Sequence, residues 1–255
     1  MSATLLHVDR LVKRFGGLTA TDHASVRVLR GEVHALIGPN GAGKTTLIHQ
    51  ISGALAPDAG QVHFDGVDVT RMPMHERVLR GLARSYQITS IFSRLSVHDN
   101  LALAVQARDG HSMRFWRPAR SERARWQEAG ELAERVGLTA RLAVPGGSLA
   151  HGEQRQLELG LALATRPRLL LLDEPMAGMG ADESQQMIEL LHTLRGDVTI
   201  LLVEHDMDAV FRLADRISAL VFGKVIACGT PQAIRSDPEV QRAYLGDDAQ
   251  LGGAP

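Results

Sequence analysis

The stretch that decides the fold reads Gly38-Pro39-Asn40-Gly41-Ala42-Gly43-Lys44-Thr45-Thr46 and fits the phosphate-binding pattern G-x-x-x-x-G-K-[ST]. It follows an apolar run at residues 33–37 and precedes a helix-forming run at residues 46–51. The glycines let successive backbone N–H groups turn inward around a polyphosphate, and a helix that begins near Gly43 presents the positive end of its dipole to the anion. Lys44 can reach the β- and γ-phosphates, and the Thr45 hydroxyl can ligate Mg²⁺. The chain is therefore predicted to bind a nucleoside triphosphate.

Two acidic residues follow a second apolar run. Four leucines at residues 169–172 predict a buried strand, and Asp173 and Glu174 come directly after it. The carboxyl ends of parallel strands line the ligand crevice, so Asp173 is expected beside the phosphates, where it can hold Mg²⁺ through water. Glu174 is expected to polarise the attacking water as general base. Pro175 fixes the turn at the strand end, which disfavours the alternative of a simple acidic helix start.

The composition limits the class of protein. The 255 residues include 28 basic and 29 acidic side chains, a formal net charge of -1, which gives no general attraction to nucleic acid or anionic lipid. One cysteine, Cys228, excludes an internal disulfide. We find no secretory signal and no apolar run of the ~20 residues that span a bilayer. We therefore expect a cytoplasmic chain whose membrane role comes through a partner.

Apolar periodicity divides the chain into three parts. The first third is predicted to be rich in short strands, at residues 5–12, 25–29, 33–37 and 61–64. The middle, from about residue 96 to residue 165, shows helical spacing. The last third alternates predicted strands, at residues 169–172, 198–203 and 217–222, with predicted helices, at residues 182–194 and 207–214. This alternation indicates parallel strands joined by helical crossovers. An arginine-rich segment, residues 108–126, is interpreted as a solvated loop and helix face, with a nucleic-acid or lipid surface as the alternative.

These motifs follow the order found in the nucleotide-binding subunit of ATP-binding cassette (ABC) transporters, which the chain resembles over essentially its whole length. The resemblance implies that Phe15 stacks on adenine and that Gln87 contacts Mg²⁺ and links the catalytic core to the helical subdomain. It implies that His205 contacts the γ-phosphate. Leu149-Ala150-His151-Gly152-Glu153 takes the place of the LSGGQ signature, which in the family closes over the γ-phosphate held by a second subunit. ATP and Mg²⁺ are the implied cofactors.

The signature and the D-loop depart from the family pattern. Ala150 lacks the serine hydroxyl, which removes one phosphate contact, and Ser148 or His151 is a candidate replacement. Gly152 and a helix predicted at residues 154–163 still offer backbone N–H groups to an anion. The D-loop reads Ala177-Gly178-Met179-Gly180 where the family has S-A-L-D, so it lacks the family's aspartate.

Further segments most resemble the ATPases of branched-chain amino-acid importers. They include the signature, the residues after Glu174 and the end of the chain, at residues 229–231 and 244–246. Related urea and short-amide importers share much of this pattern and are the alternative. A soluble ABC ATPase acting on ribosomes or DNA is disfavoured, because such proteins carry two cassettes or a long coiled-coil insertion. A non-hydrolysing ATP sensor is disfavoured by the presence of Glu174 and His205.

The resemblance also implies the architecture and the partners. The expected fold is α/β, a P-loop NTPase (ABC ATPase) core with a parallel sheet, an N-terminal antiparallel β subdomain and an inserted α-helical subdomain. One nucleotide-binding domain is expected. Its β-rich core spans residues 1–87, and the helical subdomain that ends in the signature helix spans residues 88–165. The second part of the core spans residues 166–246, and a flexible tail spans residues 247–255. The expected partners are a second ABC ATPase subunit, identical or paralogous, transmembrane permease subunits and indirectly a substrate-binding protein, with no nucleic acid. The expected location is the cytoplasmic face of the inner or plasma membrane.

Overall fold

The computed structural model describes residues 3–85, 91–108 and 120–243, with the backbone alone at 120–122. Along these residues the strands are β1 (Thr4–Phe15), β2 (Leu18–Leu29), β3 (Val33–Ile37), β4 (Ala59–Phe64), β5 (Val67–Asp68), β6 (Leu82–Arg84), β7 (Leu169–Asp173), β8 (Thr199–Val203), β9 (Arg216–Val221) and β10 (Lys224–Gly229). The α-helices are α1 (Lys44–Ser52), α2 (Met74–Leu79), α3 (Val97–Arg108), α4 (Arg120–Arg135), α5 (His151–Ala164), α6 (Ala181–Thr193), α7 (Met207–Leu213) and α8 (Pro231–Arg235).

The described strands form two sheets. The first is antiparallel and has the order β2-β1-β4-β5. The second has the order β10-β9-β3-β8-β7-β6, parallel from β9 to β6 and antiparallel where β10 joins the edge. The predicted α/β fold, with a parallel sheet and an N-terminal antiparallel sheet, is confirmed.

The central parallel strands are buried on both faces, which explains their continuous apolar sequences. Every residue of β3, β7 and β8 is buried. Because side chains alternate along a strand, Leu169 and Leu171 pack toward α1 and the antiparallel sheet, whereas Leu170 and Leu172 pack toward α3, α4 and α5. The core helix α1 therefore lies between the two sheets, and the helical region covers the opposite face of the parallel sheet.

The structure extends and corrects the predicted elements. Helix α5 begins at His151, three residues before the predicted start, so the signature forms its first turn. The short elements β5, β6, α2, β10 and α8 were not predicted. Within the described residues, no helix is long and apolar enough to cross a membrane.

The arginine-rich segment is described only at its two ends, because residues 109–119 lie outside the described residues. Arg108 forms an ion pair with Glu128 of α4, with Nη1–Oε1 at 2.6 Å, and it donates to Ala164 O at 3.0 Å. Arg166 reaches the same Glu128 carboxylate at 3.0 Å. Arg108 therefore connects α3, α4 and α5 within the helical region.

Candidate functional site

The predicted phosphate loop joins the end of β3 to the start of α1 at Lys44. Two of its glycines are required by close backbone contacts. A Cβ on Gly38 would lie 2.1 Å from Leu220 O, and a Cβ on Gly43 would lie 2.1 Å from Ala20 O. Gly43 also has a φ of 101°, in the left-handed region that favours glycine. The loop is thus held between β9 and β2, and the N-terminus of α1 faces it.

Lys44 is buried and points back into the phosphate loop. Its Nζ donates to Gly38 O at 2.7 Å and to Pro39 O at 3.0 Å. Burial lowers the pKa of Lys44, and the carboxylates of Glu174 and Asp173 act in the opposite direction. An ammonium group has three donors, and the loop carbonyls accept from two of them. Because the carboxylates of Glu174 and Asp173 both act on Lys44, this lysine lies within electrostatic reach of the two predicted acidic residues.

Asp173 is the last residue of β7 and is buried. Its Oδ2 accepts a hydrogen bond from Arg84 Nη2 at 3.0 Å. Arg84 ends β6, which pairs in parallel with β7, so both residues lie at the same edge of the sheet. Sequence reasoning missed Arg84. The available signal was a basic residue directly after the apolar pair at residues 82–83.

Glu174, the next residue, has a left-handed φ of 49°, and its N–H donates to Val203 O at 2.9 Å. Its Oε1 lies 4.0 Å from His205 Nδ1, so the predicted base and the predicted γ-phosphate contact are neighbours. Glu204 Oε2 lies 3.7 Å from the same His205 nitrogen. Glu204 is buried and accepts the N–H groups of Met176 and His205. Burial raises the pKa of Glu204.

A cavity of about 390 Å³ brings together several of the predicted ligand-binding residues. It is lined by residues 40–46 of the phosphate loop and α1, by Phe15 and by Glu174. Phe15 is half exposed. Leu18 and Phe222 also line the cavity, and sequence reasoning did not single them out. Gln87 belongs to residues 86–90, which lie outside the described residues.

The signature residues form the first turn of α5. Ala150 is the N-cap and has no side-chain oxygen for the helix N–H groups. Glu153 Oε2 accepts the Ala150 N–H at 3.0 Å, and its Oε1 accepts Arg141 Nε at 2.7 Å. Burial alone would raise the pKa of Glu153, but the hydrogen bonds from Arg141 and Ala150 hold it below its ordinary value. The Glu153 carboxylate is thus engaged within its own subunit.

A second carboxylate engages the amide of Gly152. The Gly152 N–H donates to Glu183 Oε1 at 3.1 Å, and Glu183 Oε2 accepts the Gly180 N–H at 3.2 Å. A Cβ on Gly178 would lie 3.4 Å from the His151 ring, so the D-loop contacts the signature within one subunit. No described residue that lines the cavity of about 390 Å³ belongs to residues 149–153. The structure therefore does not bring the signature to the phosphate loop of the same chain.

Comparison with known proteins identifies the family. A family described as ABC transporter matches residues 21–177, and one described as branched-chain amino acid ATP-binding cassette transporter matches residues 224–250. The high-affinity branched-chain amino acid transport ATP-binding protein BraF of Pseudomonas aeruginosa PAO1 is 38% identical over 97% of this chain and 100% of its own length. LivG of Escherichia coli K12, described in the same words, is 36% identical over the same shares.

A solved structure supports the same assignment. The crystal structure of the ADP conformation of an ATP-binding cassette of an ABC transporter has a TM-score of 0.84 and 30% identity, and the match covers 96% of this chain and 100% of that one. The present chain therefore has the fold of an ATP-binding cassette. This chain belongs to the family of ABC transporter ATP-binding subunits.

Proposed function

We propose that this chain hydrolyses ATP to drive an importer of branched-chain amino acids, bound through a permease to the cytoplasmic face of the inner or plasma membrane. The observation that carries the proposal is that Lys44 and Glu174 line one cavity, with Asp173 directly before Glu174 at the end of β7. The substrate class is supported by the full-length similarity to BraF and LivG, whose names state branched-chain amino acid transport. The proposed division of the chain is the one expected from the sequence, at residues 1–87, 88–165, 166–246 and 247–255.

The chain's own residues supply binding, charge and proton positioning. Lys44 is proposed to leave the carbonyls of Gly38 and Pro39 and to donate to the β- and γ-phosphates, while the N–H groups of residues 40–46 surround the anion. Phe15 is proposed to stack on adenine. Glu174 orients the attacking water and accepts its proton, and His205, which is exposed beside Glu174, contacts the γ-phosphate.

The oxygen donors in and beside the nucleotide cavity would fit a magnesium ion. Thr45 offers a hydroxyl and Asp173 a buried carboxylate, which are donors that Mg²⁺ prefers, and Gln87 is the proposed third contact. Arg84 donates a hydrogen bond to Asp173, so a magnesium ion at this carboxylate would replace a cationic partner. Bound Mg²⁺ would neutralise charge on the phosphate oxygens.

One subunit holds half of each proposed catalytic site. The signature, residues 149–153, lies away from the phosphate loop of its own chain, so a second subunit is proposed to supply it. That subunit is either another copy of this chain or a paralogous ATPase. The Gly152 N–H would then meet the partner's γ-phosphate, and hydrolysis would remove that contact and open the pair.

An apolar groove is the proposed site for a cytoplasmic helix of the permease. It has a volume of about 260 Å³ and lies between α2, β6 and α5, with Ser85 among its lining residues. Met74, Val78 and Leu161 line it, which suits the apolar face of a helix. A substrate-binding protein would act on the other side of the membrane, through the permease.

Replacing Glu174 by glutamine tests the ATPase proposal. The amide keeps the size of the side chain but cannot accept the proton, so turnover is expected to fall at least about 100-fold. MgATP binding is retained, and MgATP is expected to convert the monomer into a stable dimer, measured by gel filtration with light scattering. Glu239→Gln, an exposed change on the same type of side chain, is the control. Normal phosphate release by Glu174→Gln would remove this residue from the proposed role.

The substrate proposal has its own test. Cells that lack the importer are complemented with this chain, its permease, its substrate-binding protein and any paralogous ATPase, and uptake of labelled leucine is compared with uptake of labelled urea. Leucine uptake that depends on Glu174 supports the proposal, and urea uptake alone would transfer the chain to the urea and amide importers.

A further inference from the structure

An exposed aromatic ring stands beside the nucleotide cavity. Phe222 is 85% exposed, the highest value among the large apolar side chains of the described residues. It lines the same cavity as Lys44, together with the exposed side chains of Phe15 and Leu18. Large apolar side chains that cluster in the open around a cavity indicate a binding surface.

The backbone at Phe222 is strained. Val221 pairs with Lys224, so Phe222 and Gly223 are the two turn residues of the hairpin between β9 and β10. Their φ values are 47° and 78°, and such turns favour Asn-Gly because both positions require positive φ. A bulky side chain is rare in the left-handed region, and such strain persists mainly where function requires the residue.

The same turn is joined to the phosphate loop. The Gly223 N–H donates to Ala42 O at 2.9 Å, and Gly223 O accepts the Asp22 N–H at 2.9 Å. Gly223 is also packed closely, since a Cβ on it would lie 2.9 Å from Ala20 O. Phe222 is therefore fixed one residue away from a direct hydrogen bond to the loop that is proposed to hold the phosphates.

We propose that Phe222 binds the nucleoside part of the nucleotide, in addition to the stacking contact proposed for Phe15. This inference rests on the proposed function and assigns a further residue to its nucleotide site. An uncharged aromatic ring has no favourable contact to offer a phosphate, because the face of its π system is negative. A planar base is the matching ligand, and every base has a π face. Phe222 therefore raises affinity for nucleotides without distinguishing adenine from guanine.

The test compares a ligand that has a base with one that has none. Isothermal titration calorimetry gives Kd for MgADP and for magnesium pyrophosphate. Neither ligand is a substrate of the proposed ATPase reaction, so binding is measured without turnover. Phe222→Asn removes the ring and keeps the turn, because asparagine tolerates positive φ. The matched control is Leu79→Asn, which changes another highly exposed apolar side chain, 80% exposed and not among the residues that line the cavity.

The expected result is selective. Phe222→Asn weakens MgADP binding about 10-fold, as removal of one base–aromatic contact predicts, and leaves the pyrophosphate Kd unchanged. Phe222→Tyr restores the ADP affinity, MgGDP responds as MgADP does, and Leu79→Asn alters neither ligand. Unchanged ADP affinity in Phe222→Asn would overturn the inference. Equal weakening of both ligands would also overturn it, because Phe222 would then act through the shape of the loop. A wild-type protein that binds neither ligand would instead refute the proposed function.

Discussion

Replacing Arg77 by methionine tests how the helix behind the phosphate loop is anchored. Arg77 is buried in α2, and its guanidinium donates to the carbonyls of Gln50, Ile51, Thr70 and Met72 at distances between 2.7 and 2.9 Å. Gln50 and Ile51 lie in the last turn of α1, at the negative end of its dipole. Arg77 therefore links the C-terminus of α1 to the segment that follows β5, through hydrogen bonds to both.

The magnitude follows from these contacts. Four charge-assisted hydrogen bonds of about 1.5 kcal/mol each stabilise the fold by about 6 kcal/mol. Burial opposes them, because it lowers the pKa of Arg77 from 12.5 to about 10, a cost of about 3 kcal/mol to the charged form. Methionine keeps an apolar stem and removes both effects, so the free energy of unfolding is expected to fall by about 3 kcal/mol. For a domain of this size, Tm then falls by roughly 6–12 °C.

Urea unfolding followed by circular dichroism measures this loss. Arg80→Met is the matched control, because Arg80 caps the C-terminus of the same helix with an exposed side chain and its replacement is expected to change stability by less than about 0.5 kcal/mol. If Arg77→Met costs no more than the control, the four hydrogen bonds do not exceed the cost of burying the cation, and the reasoning is refuted.

Two other predictions concern carboxylates beside the site. Glu183→Ala frees the Gly152 N–H, so MgATP-dependent dimerisation of Glu174→Gln subunits is expected to strengthen about 10-fold in analytical ultracentrifugation. Glu189→Ala, on an exposed position of the same helix, is the control, and an unchanged dimer affinity would count against the competition. Because burial raises the pKa of Glu204, the folded state binds this proton more tightly than the unfolded chain, whose pKa is about 4.3. Wild-type stability relative to Glu204→Gln should therefore rise as pH falls toward about 4.3 and be lost as pH rises through the raised pKa, measured by urea unfolding; a difference independent of pH would contradict this.

Sequence patterns predicted the elements that are long, apolar or chemically constrained. The parallel strand at residues 169–173 was recognisable because both of its faces are buried, and the phosphate loop because close contacts at Gly38 and Gly43 admit only glycine. Strand β6 has three residues, too few for a period, and exists through its pairing with β7. Strand β10 was missed because its hairpin carries Phe222-Gly223 instead of an Asn-Gly signal.

The site was predicted less completely than the fold, for a related reason. Asp173 and Glu174 adjoin one strand, so their proximity to the loop follows from the sheet. The contacts of Arg84 with Asp173 and of Glu183 with Gly152 join residues 89 and 31 positions apart, and periodicity carries no information about such pairs. The start of α5 was misplaced because Ala150 is a weak cap, and the reciprocal bond from Glu153 to its N–H compensates for it.

Internal partners occupy three of the groups that the proposed ligands would engage. Lys44 donates to the loop carbonyls, Arg84 pairs with Asp173, and Glu183 accepts the Gly152 N–H. A buried polar group without a partner costs about 1–3 kcal/mol, so these contacts stabilise the described conformation of the subunit. Ligand binding then exchanges partners, and its net free energy is the difference between two sets of charge-assisted contacts. On the proposed mechanism, the exchange at Gly152 is the one that hydrolysis reverses, because the signature meets only the γ-phosphate. When the subunits separate, the Glu183 carboxylate can again accept the Gly152 N–H. Separation is therefore favoured by this regained hydrogen bond as well as by the loss of the contact with the γ-phosphate.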